Sequence, residues 1–164
     1  MAAMLRGASQ VIARKGGALA LVGLLSLFVV GCGETPPPAP AIVAPAVSAE
    51  QLVGKWGLAS YHKDEDRART IKEATAQCNK PYVINKGPNG GLMMYLADQK
   101  ELSEVVLKAG PSGQTYLGPP GDAGTADDRI VTNVDPNSFT TIWVDPDNAS
   151  RYGTMVYERC GVKR

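Results

Sequence analysis

The feature that most constrains the fold is a series of short apolar segments, separated by turn-forming residues, that begins near residue 55. Gly, Pro, Asn and Asp separate eight such segments. Short strands spaced in this way are typical of an antiparallel sandwich or barrel. Because short loops favour pairing of consecutive strands, the sequence predicts an all-β domain, an eight-stranded antiparallel up-and-down barrel. The predicted strands span residues 55–62, 82–85, 92–97, 102–109, 114–117, 129–134, 138–144 and 151–160.

One polar segment interrupts this pattern between the first two strands. Residues 63–77 (KDEDRARTIKEATAQ) favour helix over strand, and they contain too few apolar side chains for a core helix. We therefore expect one short helical insert, which lies on the surface or acts as a mobile lid. A single helical turn is also predicted over residues 49–53, directly before the first strand.

The N-terminal region has the layout of a secretory signal peptide. Three basic residues precede an apolar run of 13 residues, 18–30, and the small residue Gly31 follows it. A membrane-spanning helix is the alternative, but it needs about 20 apolar residues. We therefore interpret residues 1–31 as a signal peptide that is cleaved.

The sequence around the expected cleavage site, Val29-Val30-Gly31-Cys32, resembles the bacterial lipobox. The resemblance implies a lipoprotein in which Cys32 becomes the N-terminus and carries several acyl chains, palmitate among them, which together anchor a protein stably. Lipoproteins without an aspartate after this cysteine are usually sorted to the outer membrane, and Gly33 stands there. The resemblance therefore implies a lipid anchor in the bacterial outer membrane, on its periplasmic face.

Cleavage also changes the charge of the chain. It removes three of the 17 basic residues and none of the 16 acidic ones, which leaves 14 basic against 16 acidic residues. No basic patch remains, so we exclude nucleic acid as a partner. Residues 32–48 contain the lipidated cysteine and a Pro/Ala-rich linker, which is typical of an extended spacer. The alternative is a segment that inserts into a groove of a partner protein.

Residues 49–164 are enough for one domain with its own core. This domain contains two cysteines, Cys78 and Cys160, and two thiols in a secreted protein usually form a disulfide. A catalytic thiol served by His62 is the alternative, and zinc is disfavoured because these residues lack the usual ligand spacing. In a simple barrel the two cysteines would lie at opposite ends. A bridge therefore requires the insert to run back along the outside, or a different topology.

The first predicted strand opens with Gly54-Lys55-Trp56, which resembles the start of the first strand in the calycin superfamily, including the lipocalins. The resemblance implies a lipocalin-like barrel in which Trp56 lies across the closed end and Arg159, near the end of the last strand, packs on it. The chain also resembles small periplasmic barrel inhibitors of metalloproteases, which block the protease with a segment before the barrel. Residues 41–50 occupy that position here.

No grouping in the sequence is typical of catalysis or metal binding. Carboxylates cluster at 64–66, 127–128 and 145–147, in turns and charged loops where we expect solvated side chains rather than an acid–base pair or a calcium site. No nucleophile elbow or phosphate loop is present either. We therefore expect a non-enzymatic protein without a cofactor or metal.

The third predicted strand is rich in methionine, a residue that adapts its shape at apolar binding sites. An eight-stranded barrel has room for its side chains or for one small ligand, so a filled core is the alternative to a pocket. We expect an envelope binding or scaffolding module for a small apolar ligand or an envelope protein, with protease inhibition through residues 41–50 as the alternative. The candidate pocket residues are Met93, Met94, Tyr95, Leu107, Ile142 and Met155.

Overall fold

A computed structural model describes residues 44–162. Its strands form a closed antiparallel barrel in which each strand pairs with the next along the chain and the eighth pairs with the first. The predicted up-and-down barrel is confirmed. The strands are β1 (Gly54–Tyr61), β2 (Tyr82–Lys86), β3 (Leu92–Tyr95), β4 (Leu102–Ala109), β5 (Thr115–Gly118), β6 (Arg129–Thr132), β7 (Ser138–Trp143) and β8 (Thr154–Arg159).

Three short helices accompany the barrel: α1 (Ala49–Leu52), α2 (Arg67–Ala76) and α3 (Pro146–Tyr152). A 3₁₀ turn precedes α2 and another follows it, so the helical insert predicted between the first two strands is confirmed. Within residues 44–162, none of the helices combines the length and apolar character needed to cross a bilayer.

Helix α3 corrects the sequence interpretation, which placed a turn after β7 and began the last strand at Arg151. The side chain of Asp145 caps the helix by accepting a hydrogen bond from the backbone N–H of Asn148, at 2.7 Å. Pro146 occupies the first turn, where its missing N–H costs nothing. The helix ends at Gly153, and β8 begins at the next residue.

The two ends of the barrel differ in what covers them. We call the end with α1, the start of β1 and the loops 87–91, 110–114 and 133–137 the base. We call the opposite end, with the loops 96–101 and 119–128 and the segment 144–153 that contains α3, the mouth.

The base half of the barrel contains a packed aromatic core. The ring of Phe139 stacks on Tyr157 with centroids 4.1 Å apart, and Trp56 meets Phe139 edge-on at 4.8 Å. Aromatic pairs in these geometries stabilise by about 0.5–1.5 kcal/mol beyond the area that they bury. The other buried members of this cluster are Val47, Leu52, Ile84, Leu92, Met94, Val105, Leu117 and Val131.

The insert runs back along the outside of the barrel, and this settles where the cysteines lie. Helix α2 packs against β1 and β8, so closely that a Cβ on Gly57 would overlap the carbonyl oxygen of Ala74. The chain thereby reaches the base before β2 begins, and Tyr82 at the start of β2 pairs with Trp56 near the start of β1.

Cys78 and Cys160 form the predicted disulfide, with Cα atoms 5.5 Å apart and a sequence separation of 82. The two cysteines do not lie at opposite ends of the barrel, because the insert runs back along the outside and the short β2 pairs only with the base half of β1. Closing a loop of this length stabilises the fold by roughly 4–5 kcal/mol on the chain-entropy model.

Trp56 and Arg159 meet at the base. The guanidinium carbon of Arg159 lies 4.1 Å from the centroid of a Trp56 ring, and its three nitrogens each donate to a backbone carbonyl at 2.7 to 3.1 Å. The indole N–H of Trp56 donates to the carbonyl of Leu52 at 2.8 Å, which ties α1 to the core. Gly54 has φ +147°, and a Cβ there would lie 2.6 Å from Nη1 of Arg159, so only glycine suits this position.

Candidate functional site

A pocket of about 240 Å³ opens at the mouth of the barrel, and we call it the mouth pocket. Most of its walls are aromatic or apolar, and three polar side chains, Asp98, Gln99 and Arg129, also line it. Pockets of this make-up bind small molecules through the apolar walls and orient them through the few polar groups. The apolar and aromatic lining residues are Leu58, Tyr82, Tyr95, Leu96, Ala97, Trp143, Tyr152, Met155 and Tyr157.

The strand register explains why these side chains share the pocket. Arg129, the first residue of β6, pairs with Trp143, the last residue of β7, at the mouth edge of the sheet. On the two strands that follow around the barrel, Leu58 of β1 pairs with Tyr157 of β8. Because β2 pairs only with Gly54–Trp56, it leaves the mouth half of β1 without a neighbour on that side, and the pocket extends to Tyr82.

Arg129 is the buried cation of the mouth pocket. Its side chain is almost fully enclosed, with 2% of the residue exposed, and its Cζ lies 4.7 Å from the centroid of the Trp143 ring. Nη2 donates to the carbonyl of Tyr95 at 3.2 Å, whereas Nε is buried without an acceptor within residues 44–162. No carboxylate of the described chain forms an ion pair with this guanidinium.

The carboxylate nearest in sequence, Asp128, faces the outer side of the sheet and already has a cation. Its Oδ1 lies 2.6 Å from Nζ of Lys108, and the side chains are 0% and 8% exposed. Its Oδ2 accepts from the backbone N–H groups of Gly124 and Thr125 at 2.8 and 3.0 Å. Asp128 therefore organises the loop 119–128 and does not neutralise Arg129.

Tyr82 contributes a hydroxyl group to the same pocket. Its oxygen accepts the backbone N–H of Tyr95 at 3.0 Å, and no acceptor for its own O–H is present among residues 44–162. Burial, helped by the nearby Tyr157 hydroxyl, raises the pKa of Tyr82 to about 12, although Arg129 acts in the opposite direction. The group therefore stays protonated at neutral pH and is a hydrogen-bond donor.

A cluster of three side chains holds the rim of the mouth pocket, and we call it the rim clasp: Asp98, Arg151 and Tyr152. Asp98 accepts hydrogen bonds from Nη1 of Arg151 at 2.7 Å and from the hydroxyl of Tyr152 at 2.5 Å, which joins the loop 96–101 to α3. These bonds, the one from Tyr152 first, lower the pKa of Asp98. The Tyr152 ring also lies 5.6 Å from Trp143, so the clasp is continuous with the pocket wall.

The structure brings only part of the predicted lining together. Tyr95 and Met155 line the mouth pocket. Met94 lies instead in the packed core, fully buried, because Leu92 and Met94 of β3 point inward and Met93 between them points outward.

Two other candidates also lie elsewhere, which corrects the expected lining. Ile142 is 39% exposed on the outer face, because its neighbours Thr141 and Trp143 point into the barrel. Leu107 packs against the core and borders a second pocket, also of about 240 Å³, which lies beside α1 at the base rather than at the mouth.

Sequence reasoning missed Arg129, Tyr82 and Trp143 as pocket residues. A signal for Arg129 was present, since it is a charged residue two positions before Val131, on the face of an apolar strand that points inward. The side of Tyr82 depends on the register between β1 and β2, which the sequence does not show.

The other candidate chemical groups have structural roles. Both cysteines of the barrel are in the disulfide, so neither is a free catalytic thiol. The described part of the chain holds no cluster of three or more His, Cys, Asp or Glu side chains suited to a metal ion. Asp145 caps α3, and His62 contacts the carbonyl of Ser150 at 3.0 Å through Nε2.

The N-terminal segment is described from residue 44 onward, and it contacts the barrel. Val47 is 8% exposed and belongs to the core, and the N–H of Ala46 donates to the hydroxyl of Thr115 at 3.2 Å. Residues that the sequence assigned to the linker therefore help to close the base. The predicted signal peptide over 1–31, the predicted lipidation site Cys32 and residues 41–43 of the predicted inhibitory segment lie outside the described residues.

Comparison with known proteins adds no family to this picture. No family model matches the chain, and no curated protein or solved structure shows significant similarity to it. The functional argument therefore depends on the geometry of the mouth pocket itself.

Proposed function

We propose that this protein is a non-enzymatic lipoprotein of the bacterial outer membrane that binds a small, largely apolar molecule in the mouth pocket. The observation that carries the proposal is the aromatic lining of that pocket, directly above a packed core. The lipobox-like sequence at Cys32 supports the anchor, and the Pro/Ala-rich linker supports a barrel held away from the membrane.

The size of the pocket limits the ligand. A volume of about 240 Å³ is below the range of roughly 300–1,000 Å³ typical of sites for drug-sized molecules. An eight-stranded barrel whose base is filled by side chains leaves room for one small ligand. A single ring or a short branched chain is therefore the size class that the pocket favours.

A binding role fits the polar groups better than catalysis does. The one carboxylate that lines the mouth pocket, Asp98, accepts two hydrogen bonds from the rim clasp, and those bonds hold its pKa below its ordinary value. General acid–base chemistry instead needs two groups with separated pKa values held at one reacting centre. No such pair lines the pocket among the described residues.

The test is to block the pocket. We expect the full chain in lipid nanodiscs to broaden the fluorine NMR signal of at least one of two small aromatic probes, 4-fluorophenylacetate or 4-fluorophenylacetamide, after subtraction of empty nanodiscs. Met155→Trp fills the pocket and should abolish the broadening, because Met155 lines its wall. Ile142→Trp adds the same ring on the outer face and should leave binding unchanged. If neither probe binds the folded wild-type protein, or Met155→Trp binds as well as Ile142→Trp, the proposal is wrong.

The alternative function, protease inhibition through residues 41–50, has weaker support because Val47 and Ala46 are held by the barrel itself. It stays a prediction that truncation can test. Inhibition of periplasmic metalloproteases that is lost when residues 41–45 are deleted would support it, and equal potency after the deletion would exclude a role for the segment.

A further inference from the structure

We propose that the ligand of the mouth pocket is a small organic acid whose carboxylate pairs with Arg129 inside the barrel. This inference rests on the proposed function, because it takes the mouth pocket as the binding site and adds the charge of what binds there.

The first step is that Arg129 is a buried charge without a counter-ion. Arginine keeps its positive charge at physiological pH, and removing such a charge from water is costly unless partners replace the water. Arg129 is 2% exposed, and within residues 44–162 its guanidinium donates to one backbone carbonyl and lies over the face of Trp143. Its Nε is buried and has no acceptor in that part of the chain.

The second step is a comparison with Arg159, which performs a structural role at the base. Both guanidinium groups lie over a tryptophan, at 4.1 Å for Arg159 and 4.7 Å for Arg129. Arg159 uses all three of its nitrogens on backbone carbonyls, whereas Arg129 uses one. All three guanidinium nitrogens of Arg159 thus have hydrogen-bond acceptors at the base, whereas Nε of Arg129 has none within residues 44–162.

The third step is that the protein holds its nearby carboxylates away from Arg129. Asp128 lies against Lys108 on the outer face, and Asp98 at the rim accepts from Arg151 and Tyr152. Among the described residues, Arg129 therefore keeps an unpaired positive charge inside the mouth pocket, which favours an anion from outside.

The fourth step is a second donor for the same anion. The Tyr82 hydroxyl lines the pocket, already accepts the N–H of Tyr95, and has its own O–H to offer. A carboxylate that accepts from a guanidinium and a phenol forms charge-assisted hydrogen bonds, which are stronger than neutral ones. The apolar body of the acid would contact the aromatic wall formed by Trp143 and Tyr157.

The experiment compares two probes that differ only in charge, 4-fluorophenylacetate and 4-fluorophenylacetamide, on the full chain in nanodiscs. We expect the acid to bind roughly tenfold or more tightly than the amide, since a hydrogen bond to a charged group contributes on that scale. Arg129→Met should remove this preference while amide binding persists. Tyr82→Phe should weaken binding of the acid more than that of the amide. Arg67→Met, which removes a charge from the exposed start of α2, should change neither.

The outcomes separate the two proposals. Equal binding of acid and amide by the wild-type protein, or a preference that survives in Arg129→Met, overturns the inference and leaves the proposed function intact. Binding of neither probe overturns the proposed function and the inference with it. If Arg129→Met does not fold, the Nε–H signal of Arg129 in the wild-type protein decides: it should shift when the acid is added, and an unchanged signal contradicts the pairing.

Discussion

At the scale of single residues, one buried ion pair shows how the barrel accommodates charge in its wall. Lys108 and Asp128 form a buried ion pair on the outer side of the sheet, under the loop 119–128. Lys108 also donates to the carbonyls of Pro119 and Asp122 at 3.0 and 2.8 Å. Together with the ion pair to Asp128, these bonds join one ammonium group to the start and the end of the loop 119–128. The hydrogen bonds of Lys108 and Asp128 to the backbone of the loop 119–128 fix the position of that loop on the sheet.

We expect Lys108→Met to lower the free energy of unfolding by about 3–5 kcal/mol, because it leaves the Asp128 carboxylate buried without a counter-ion. The matched control is Lys63→Met, which breaks the exposed contact of Lys63 with Glu65 at 4.0 Å and should cost at most about 1 kcal/mol. Urea unfolding of the three proteins measures both values. Equal losses in the two variants would show that the buried pair has no special weight.

At two positions only glycine fits, because a side chain would overlap a neighbouring group. Gly54 leaves room for the Arg159 guanidinium, and Gly57 leaves room for the backbone of α2. The first belongs to the Gly-x-Trp pattern and was singled out from the sequence. The second lies inside a strand, and nothing local marks it, because its requirement comes from the packing of α2 against β1.

At the scale of elements, the rim clasp joins a loop to a helix that the sequence did not predict. Because Asp98 sits between Arg151 and Tyr152, the loop 96–101 is held over the mouth pocket by side chains of α3. The strand pattern indicated a turn over 145–148, since Asp-Pro is common in turns. The same residues also make a helix start, with Asp145 as the cap and Pro146 in the first turn, and the structure uses them in that way.

The clasp predicts a pH dependence at its carboxylate. The folded-state pKa of Asp98 is lowered, so the contribution of the clasp is fully present above the ordinary aspartate value of about 3.9 and is lost as pH falls through the depressed value. We expect Tyr152→Phe to raise the pKa of Asp98 toward its ordinary value, because the hydrogen bond from Tyr152 is the largest single cause of the shift. Arg151→Gln should also raise it, because Arg151 lowers this pKa through a hydrogen bond and through its charge.

Titration of the Asp98 carboxyl carbon by NMR measures the pKa in all three proteins. A pKa that is unchanged in Tyr152→Phe would contradict the geometry of the clasp. The protection factors of amides in the loop 96–101, which are corrected for the intrinsic pH dependence of exchange, should also fall in the wild-type protein as pH drops through the pKa of Asp98.

At the scale of the whole molecule, we expect an acylated chain whose barrel is independent of the anchor. Cys32→Ser should abolish attachment of lipid and release the protein from the membrane fraction, because the proposed anchor is the cysteine of the lipobox-like sequence. Mass spectrometry of the N-terminal peptide from the native protein checks this. Cys78→Ser is the control, since it breaks the disulfide and should leave lipidation unchanged. Acyl groups on any other residue, or none, would contradict the lipoprotein assignment.

The sequence by itself determined the strand count, the up-and-down order and the helical insert, because alternation and turn residues act within a few positions along the chain. It also limited the disulfide to one pair once Cys32 was set aside. Only the tertiary structure decided how that pair meets, because the answer depends on a short β2 that begins beside Trp56. The tertiary structure alone also decided the mouth pocket. Arg129, Tyr82 and Trp143 come from three strands, and their proximity follows from the register and closure of the barrel. Contacts between segments far apart in sequence leave no periodic signal. The sequence therefore shows that Arg129 is present, but only the tertiary structure shows that it is buried in a pocket without a counter-ion among the described residues.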